Sequence, residues 1–131
     1  MPHPGRAAAR MCVALALGAV AVGGSSRPAS AQEKQGRQAT RIEYEGWRQY
    51  MVHCARCHGD DAVGGVMAPD LRGSVAKGRV ARASFHAVVV NGRRDKGMPG
   101  FKGTLADDQI KKIFAYVKAR GKGEIPAGRP G

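Results

Sequence analysis

Apolar residues recur at helical spacing in three stretches of the chain, separated by segments with no clear period. From Arg41 to Cys54, the side chains of Trp47, Tyr50, Met51 and Cys54 fall on one face, which predicts an amphipathic helix. Gly46 interrupts it at a cost of about 1 kcal/mol relative to Ala. Its expected role is close packing against another backbone. A shorter helix is predicted near Ser84 to Val90, with Ser84 as N-cap, Gly92 just past its end, and Phe85, Val88 and Val89 as its apolar stripe. The run Val88-Val89-Val90 would also suit a strand, but nothing else in the sequence offers it a partner. The last stretch is the clearest. Thr104 with Asp107 reads as a capping box, Asp107 and Asp108 sit in the first turn, and Ile110, Ile113, Phe114 and Val117 form the stripe to be buried. Lys118 and Arg120 suit its C-terminal dipole, and Gly121 is the expected stop.

The intervening segment Gly59 to Lys77, with Gly64-Gly65 and Ala68-Pro69, shows neither the helical nor the strand period and describes a loop wrapped around something. Residues 32–40 are polar and read as a flexible arm, and the Gly/Pro-rich tail 122–131 is expected to be disordered. That leaves 41–121 as one small folded domain with few aromatic residues and a marginal core. Something apolar other than side chains is expected to fill its centre.

The N-terminus has a different logic. Arg6 and Arg10 precede the uncharged apolar run Met11 to Val22, and Ala29-Ser30-Ala31 follows as an A-x-A cleavage pattern. The run is shorter than the ~20 residues that span a bilayer. Residues 1–31 therefore read as a secretory signal peptide cleaved near Ala31, with an uncleaved amphiphilic anchor as the alternative. The leader has no twin-Arg pair, which points to the general secretory route and a periplasmic location.

Removing Arg6, Arg10 and Arg27 lowers the formal charge from +12 to +9. So basic a chain suggests nucleic acid, an anionic surface or an acidic protein as partner. Export and the lack of an aromatic-basic stacking platform argue against nucleic acid. Cys12 leaves with the leader, so the exported chain keeps only Cys54 and Cys57.

Those two belong to Cys54-Ala55-Arg56-Cys57-His58, a C-x-x-C-H pattern that attaches c-type haem. Cysteines three apart project from one side of a helical turn and can each form a thioether with a haem vinyl group. His58 then turns its imidazole to the iron. A structural zinc site needs four ligands and no second pair exists, a thioredoxin-like dithiol needs a βαβ setting, and a plain disulfide remains an alternative. For the sixth iron position, Met98 lies between a Gly-rich loop and Pro99 and offers a soft thioether. Met67 and His86 are weaker candidates, while Met51 reads as core and His53 as solvent-facing. The Pro69 carbonyl can accept the Nδ1 hydrogen of His58 and raise the ligand's basicity.

The order Cys54-Ala55-Arg56-Cys57-His58, then Ala68-Pro69-Asp70-Leu71, then Asn91 through Met98-Pro99-Gly100-Phe101, then Ile113-Phe114-Ala115-Tyr116-Val117, resembles the class I mono-haem cytochromes c. The resemblance covers about Arg41 to Gly121. It implies an all-α fold with crossing N- and C-terminal helices, a short middle helix and Gly-rich loops around one covalently bound haem c. It also implies that Cys54 and Cys57 carry the thioethers, His58 is the proximal ligand, Pro69 orients it, Leu71 packs on the ring and Met98 is the distal ligand. Gly46 with Tyr50, and Ile113 with Tyr116, match the family's helix crossing. The segment between the motif and Met98 is short and the single Trp47 lies in the first helix, so haem-propionate donors do not carry over; Arg72 and Arg79 are the candidates. Four-helix-bundle cytochromes carry the motif near the C-terminus, unlike this chain.

The stretch from Gly46 to Gly64 is similar to small periplasmic cytochromes that accept electrons from quinoprotein (PQQ-dependent) alcohol dehydrogenases. The implied function is a one-electron carrier, not an enzyme, passing electrons from a dehydrogenase to a terminal oxidase. A small haem peroxidase and a subunit of a larger redox complex are the rival readings. Arg93, Arg94, Lys96 and Lys102 bracket Met98, as a basic rim for partners with acidic docking faces or as plain solubilising charge.

Overall fold

The computed structural model describes residues 36–131, so the expected signal peptide, its cleavage point at Ala31 and the start of the arm lie outside the described residues. Helices dominate: α1 (Arg41–His53), α2 (Ala55–His58), α3 (Leu71–Ala76), α4 (Arg82–Asn91) and α5 (Asp107–Gly121), with a 3₁₀ turn at Arg94–Lys96. Among the described residues no strand forms, and the Val88-Val89-Val90 run lies inside α4.

The helix starts show where local chemistry departs from the sequence expectations. Thr40 caps α1 through a capping box: its Oγ1 accepts from the Glu43 N–H at 3.3 Å, and the Glu43 carboxylate accepts from the Thr40 N–H at 2.8 Å. In α5 the expected Thr104–Asp107 box is replaced by Gln109, whose Oε1 accepts from the Ala106 N–H at 2.9 Å. Thr104 instead closes a turn onto the Phe101 carbonyl. α4 starts at Arg82, which places Ser84 inside its first turn rather than at the cap; Gly92 ends it as expected, with φ +76°. α3 was not anticipated. Asp70 caps it, accepting from the Gly73 N–H at 3.0 Å.

α5 packs against α1, α3 and α4, and its contact with α1 is the most extensive. Gly46 makes that contact possible, because a methyl group there would overlap the Lys112 carbonyl. One turn on, the fully buried rings of Tyr50 and Tyr116 meet with centroids 5.3 Å apart. Ile110, Ile113 and Val117 of α5, Val75 of α3, and Phe85 and Val89 of α4 complete the core.

The tail 122–131, expected to be disordered, packs onto the domain. Ile125 is 1% exposed, and its carbonyl accepts from Arg120 Nη1 at 2.8 Å. The Gly128 N–H donates to Asp61 at 3.0 Å, and the Arg129 guanidinium lies over Tyr44 and Trp47, 5.8 and 5.9 Å from the ring centroids. Two buried apolar residues, Ile125 and Pro130, and a few charged anchors thus order a segment whose composition favours disorder. The arm residues 36–40 are held too: Arg37 grips the Glu43 carboxylate with two bonds of 2.7 Å and reaches Glu124 at 3.3 Å.

Arg37 and the Thr40 N–H together hold the Glu43 carboxyl at about 2, well below the 4.5 of a free glutamate. A carboxyl whose folded pKa is depressed stabilises the fold fully above its unfolded pKa and loses that contribution as pH falls through the folded one. Stability of the haem-loaded protein, followed by denaturant titration, is expected to decline between about pH 4.5 and about pH 2. Glu43→Gln should make that decline shallower.

Candidate functional site

The C-x-x-C-H segment straddles a break in the helix. Cys54 leaves helical geometry (φ −123°, ψ −33°), and α2 begins one residue later. Cys54 is half-buried and Cys57 exposed, and both thiols are free, so the plain disulfide is not formed. Burial, with the neighbouring Cys57 second, pushes the Cys54 thiol up to about 12. His58 is only 8% exposed, and its Nδ1 lies 3.0 Å from the Pro69 carbonyl oxygen. A carbonyl can only accept, so Nδ1 carries the hydrogen and the Nε2 lone pair is left for a ligand. Nε2 has no hydrogen-bond partner among the described residues.

The loop after His58 is held residue by residue. The Tyr50 hydroxyl donates to the Gly59 carbonyl at 2.6 Å, and the Tyr116 hydroxyl donates to the Asp60 carbonyl at 3.3 Å. Burial pushes Tyr116 up to about 12 and Tyr50 higher still, so both remain protonated donors at neutral pH. Arg120 Nε donates to the Asp61 carboxylate at 3.1 Å. Ala62, fully buried with φ +59°, accepts from the N–H groups of Leu71 at 3.1 Å and Arg72 at 3.3 Å. The loop thereby returns the chain to Pro69 and to Leu71, which is half-buried against the core.

Met98 is presented by a separate device. The N–H of Arg93 donates to the Met98 carbonyl at 2.9 Å, and the Met98 N–H donates back to the Arg93 carbonyl at 3.0 Å, closing an antiparallel bridge around the 3₁₀ turn and the left-handed Gly97. Gly92 and Gly100 lie back to back: a methyl on Gly92 would sit 2.5 Å from the Gly100 nitrogen. The N–H groups of Phe101 and Lys102 then donate to the Val89 and Val90 carbonyls at 2.9 and 3.2 Å. Met98 itself is half-buried against the core.

The weaker candidates are exposed or engaged elsewhere. Met67 is 78% exposed, Met51 packs on the core, and His86 Nε2 lies 2.8 Å from Asp107 Oδ1. His53 stacks edge-on against Phe101, with centroids 5.9 Å apart, rather than facing solvent alone. Arg72 lies against the C-terminal end of α5, where its carbonyl backs onto Gly121, and its Nε is buried without a partner among the described residues. Arg79 is exposed, as are Arg93, Arg94, Lys96 and Lys102. Sequence reasoning missed the tyrosine hydroxyls and the Asp61–Arg120 pair, which nothing in the spacing marks. The glycines at 92, 97 and 100 around Met98 were a readable signal.

The donor set suits haem. Two thiols three residues apart, an imidazole whose Nδ1 hydrogen goes to the Pro69 carbonyl, a half-buried thioether, and the half-buried apolar side chains of Leu71, Val80, Val90 and Phe101 are the groups that would hold it. These features define a class I mono-haem c-type cytochrome.

Comparison with known proteins agrees. The family described as "Cytochrome C oxidase, cbb3-type, subunit III" matches residues 43–117, and the chain belongs to this family of c-type cytochromes, carrying covalently bound haem c. It is 36% identical over 95 residues to "Cytochrome c-553I" of Paracoccus denitrificans, a match covering 66% of this chain and 41% of that relative. Against "Cytochrome c-555" of Methylococcus capsulatus (strain Bath) it is 33% identical over 117 residues, covering 88% of this chain and 84% of the relative. It also matches a tenth of the quinone alcohol dehydrogenase, dehydrogenase subunit, of Gluconobacter oxydans at 35% identity, over 58% of this chain. Among solved structures, the c-type cytochrome XoxG from Methylobacterium extorquens AM1 superposes with a TM-score of 0.61 at 27% identity, covering 70% of this chain and 57% of that one.

Because Gly100 packs against the Val90 and Asn91 carbonyls, Gly100→Ala should lift the 98–102 segment from the end of α4. Overpacking of this kind costs about 1–3 kcal/mol. Limited trypsin digestion is expected to cut faster after Arg93, Arg94 and Lys96 in the variant, and an unchanged rate would show that the loop absorbs the methyl.

Proposed function

We propose that the chain is a periplasmic one-electron carrier in which Cys54 and Cys57 hold the haem covalently and His58 and Met98 fill its axial positions. The observation that carries this reading is the 3.0 Å contact between His58 Nδ1 and the Pro69 carbonyl, which leaves Nε2 free to ligate iron. When bound, the haem supplies a ferric/ferrous couple, and Met/His ligation favours a potential above that of bis-His ligation. The protein's part is to hold both ligands before and after each transfer, so that little reorganises. With both axial positions filled, no open coordination site remains for a substrate. This favours a carrier over a peroxidase.

The similarity to a quinone alcohol dehydrogenase subunit supports a quinoprotein (PQQ-dependent) dehydrogenase as donor, with an oxidase as acceptor. The match to a small part of that large chain also favours a second arrangement, in which this cytochrome works as a subunit of a complex. Co-purification of the native protein with a dehydrogenase would support that arrangement. No helix among the described residues is long and apolar enough to cross a membrane. Arg93, Arg94, Lys96 and Lys102 are all exposed beside Met98, which supports a basic rim that steers acidic partners.

Met98→Ala is expected to abolish the weak near-infrared band of a methionine–iron bond while leaving the haem attached. Persistence of the band would move the role to another side chain. Stopped-flow reduction by an acidic donor should slow as ionic strength rises, and the dependence should weaken when Arg93 and Arg94 are changed to Gln. Rates indifferent to salt would remove the steering rim.

A further inference from the structure

We infer that Asp61 and Arg120, together with the C-terminal tail, are positioning elements for the proximal histidine, holding the His58–Pro69 hydrogen bond and so lowering the reduction potential. The inference rests on His58 being an axial ligand. A carbonyl that accepts Nδ1–H makes the imidazole a stronger electron donor, which favours ferric over ferrous iron. The placement of the Pro69 carbonyl is therefore a lever on the potential.

Two backbone contacts set that placement. Gly64 lies against the Pro69–Asp70 peptide so closely that a methyl on it would meet the Asp70 nitrogen at 2.5 Å and the Pro69 carbonyl carbon at 2.8 Å. The Ala62 carbonyl takes the N–H groups of Leu71 and Arg72, just beyond Pro69. Both Ala62 (φ +59°) and Gly64 (φ +83°) sit in left-handed geometry, and for Ala62 that geometry is disfavoured unless its surroundings impose it.

Asp61, the residue before Ala62, supplies the constraint. Its carboxylate takes Arg120 Nε at 3.1 Å and the Gly128 N–H at 3.0 and 3.3 Å. Arg120 is in turn fixed by its 2.8 Å bond to the Ile125 carbonyl, and its side chain is 7% exposed. A continuous bonded path thus runs from the tail through Asp61 and Ala62 to the peptide that holds His58. The tail, remote in sequence from the haem-attachment motif, is tied to it by the residue three positions after His58.

The test uses haem-loaded protein with Arg120→Lys and with residues 126–131 deleted. Two readouts apply: the reduction potential by spectroelectrochemistry, and hydrogen exchange at His58 Nδ1–H by NMR in the ferrous state. Lys keeps the charge but cannot serve Asp61 and Ile125 together, so a change in this variant reports geometry rather than lost charge. In both variants the potential should rise and exchange quicken by about five- to tenfold, the factor expected for a hydrogen bond of ordinary strength. If either variant retains native far-UV circular dichroism yet leaves both readouts unchanged, the inference is overturned. His58→Ala separates the two levels. Should it keep an unaltered low-spin spectrum, the ligand assignment itself fails; should it lose that spectrum while the other variants stay silent, only the positioning role fails.

Discussion

The close approach of two backbones at Gly46 and Lys112 is the constraint on which the remaining structure depends. Only a residue without a side chain lets α1 come this near to α5, and the penalty for Gly inside a helix is offset by the contact it permits. Once the helices are this close, Tyr50 and Tyr116 have nowhere to go but against each other. Their hydroxyls, denied water by the same packing, take their partners from the loop that follows His58. A steric requirement in one helix thus becomes a hydrogen-bond requirement in the two residues that follow His58.

The two sides of the site are built on different principles. The His58 side hangs on the helix crossing, with contacts between residues far apart in sequence. The Met98 side is local: a bridge from Arg93 to Met98 and a pair of facing glycines fasten it to the end of the helix that precedes it. A fold so divided can hold His58 rigidly while the segment around Met98 answers to its own, smaller set of bonds.

The parts legible in sequence were those where chemistry demands a spacing. Thioether attachment needs cysteines at a fixed interval, so Cys54, Cys57 and His58 stood out as candidates; Met98 did so because its soft thioether follows a Gly-rich loop and precedes Pro99. α5 was legible because its apolar stripe is long. Shorter elements escaped. α3 spans less than two turns, too few for a period to show, and only the Asp70 cap marks it. Thr40 with Glu43 carries the capping pattern in plain view, yet a polar segment ahead of it suggested a flexible arm. The tail was misread for a physical reason: composition averages over residues, whereas its order rests on the buried Ile125 and Pro130 and on an Asp61 carboxylate supplied from elsewhere in the chain.

The helix crossing also has a consequence in time. Gly46 and Lys112 lie near opposite ends of the described chain, so their contact closes a long loop, and such contacts form slowly and late. While a nascent chain lengthens, α1 lacks its principal packing surface until the last helix has been made. The topology therefore makes the last helix the latch of the fold, since the surface that α1 packs on is complete only when α5 is in place.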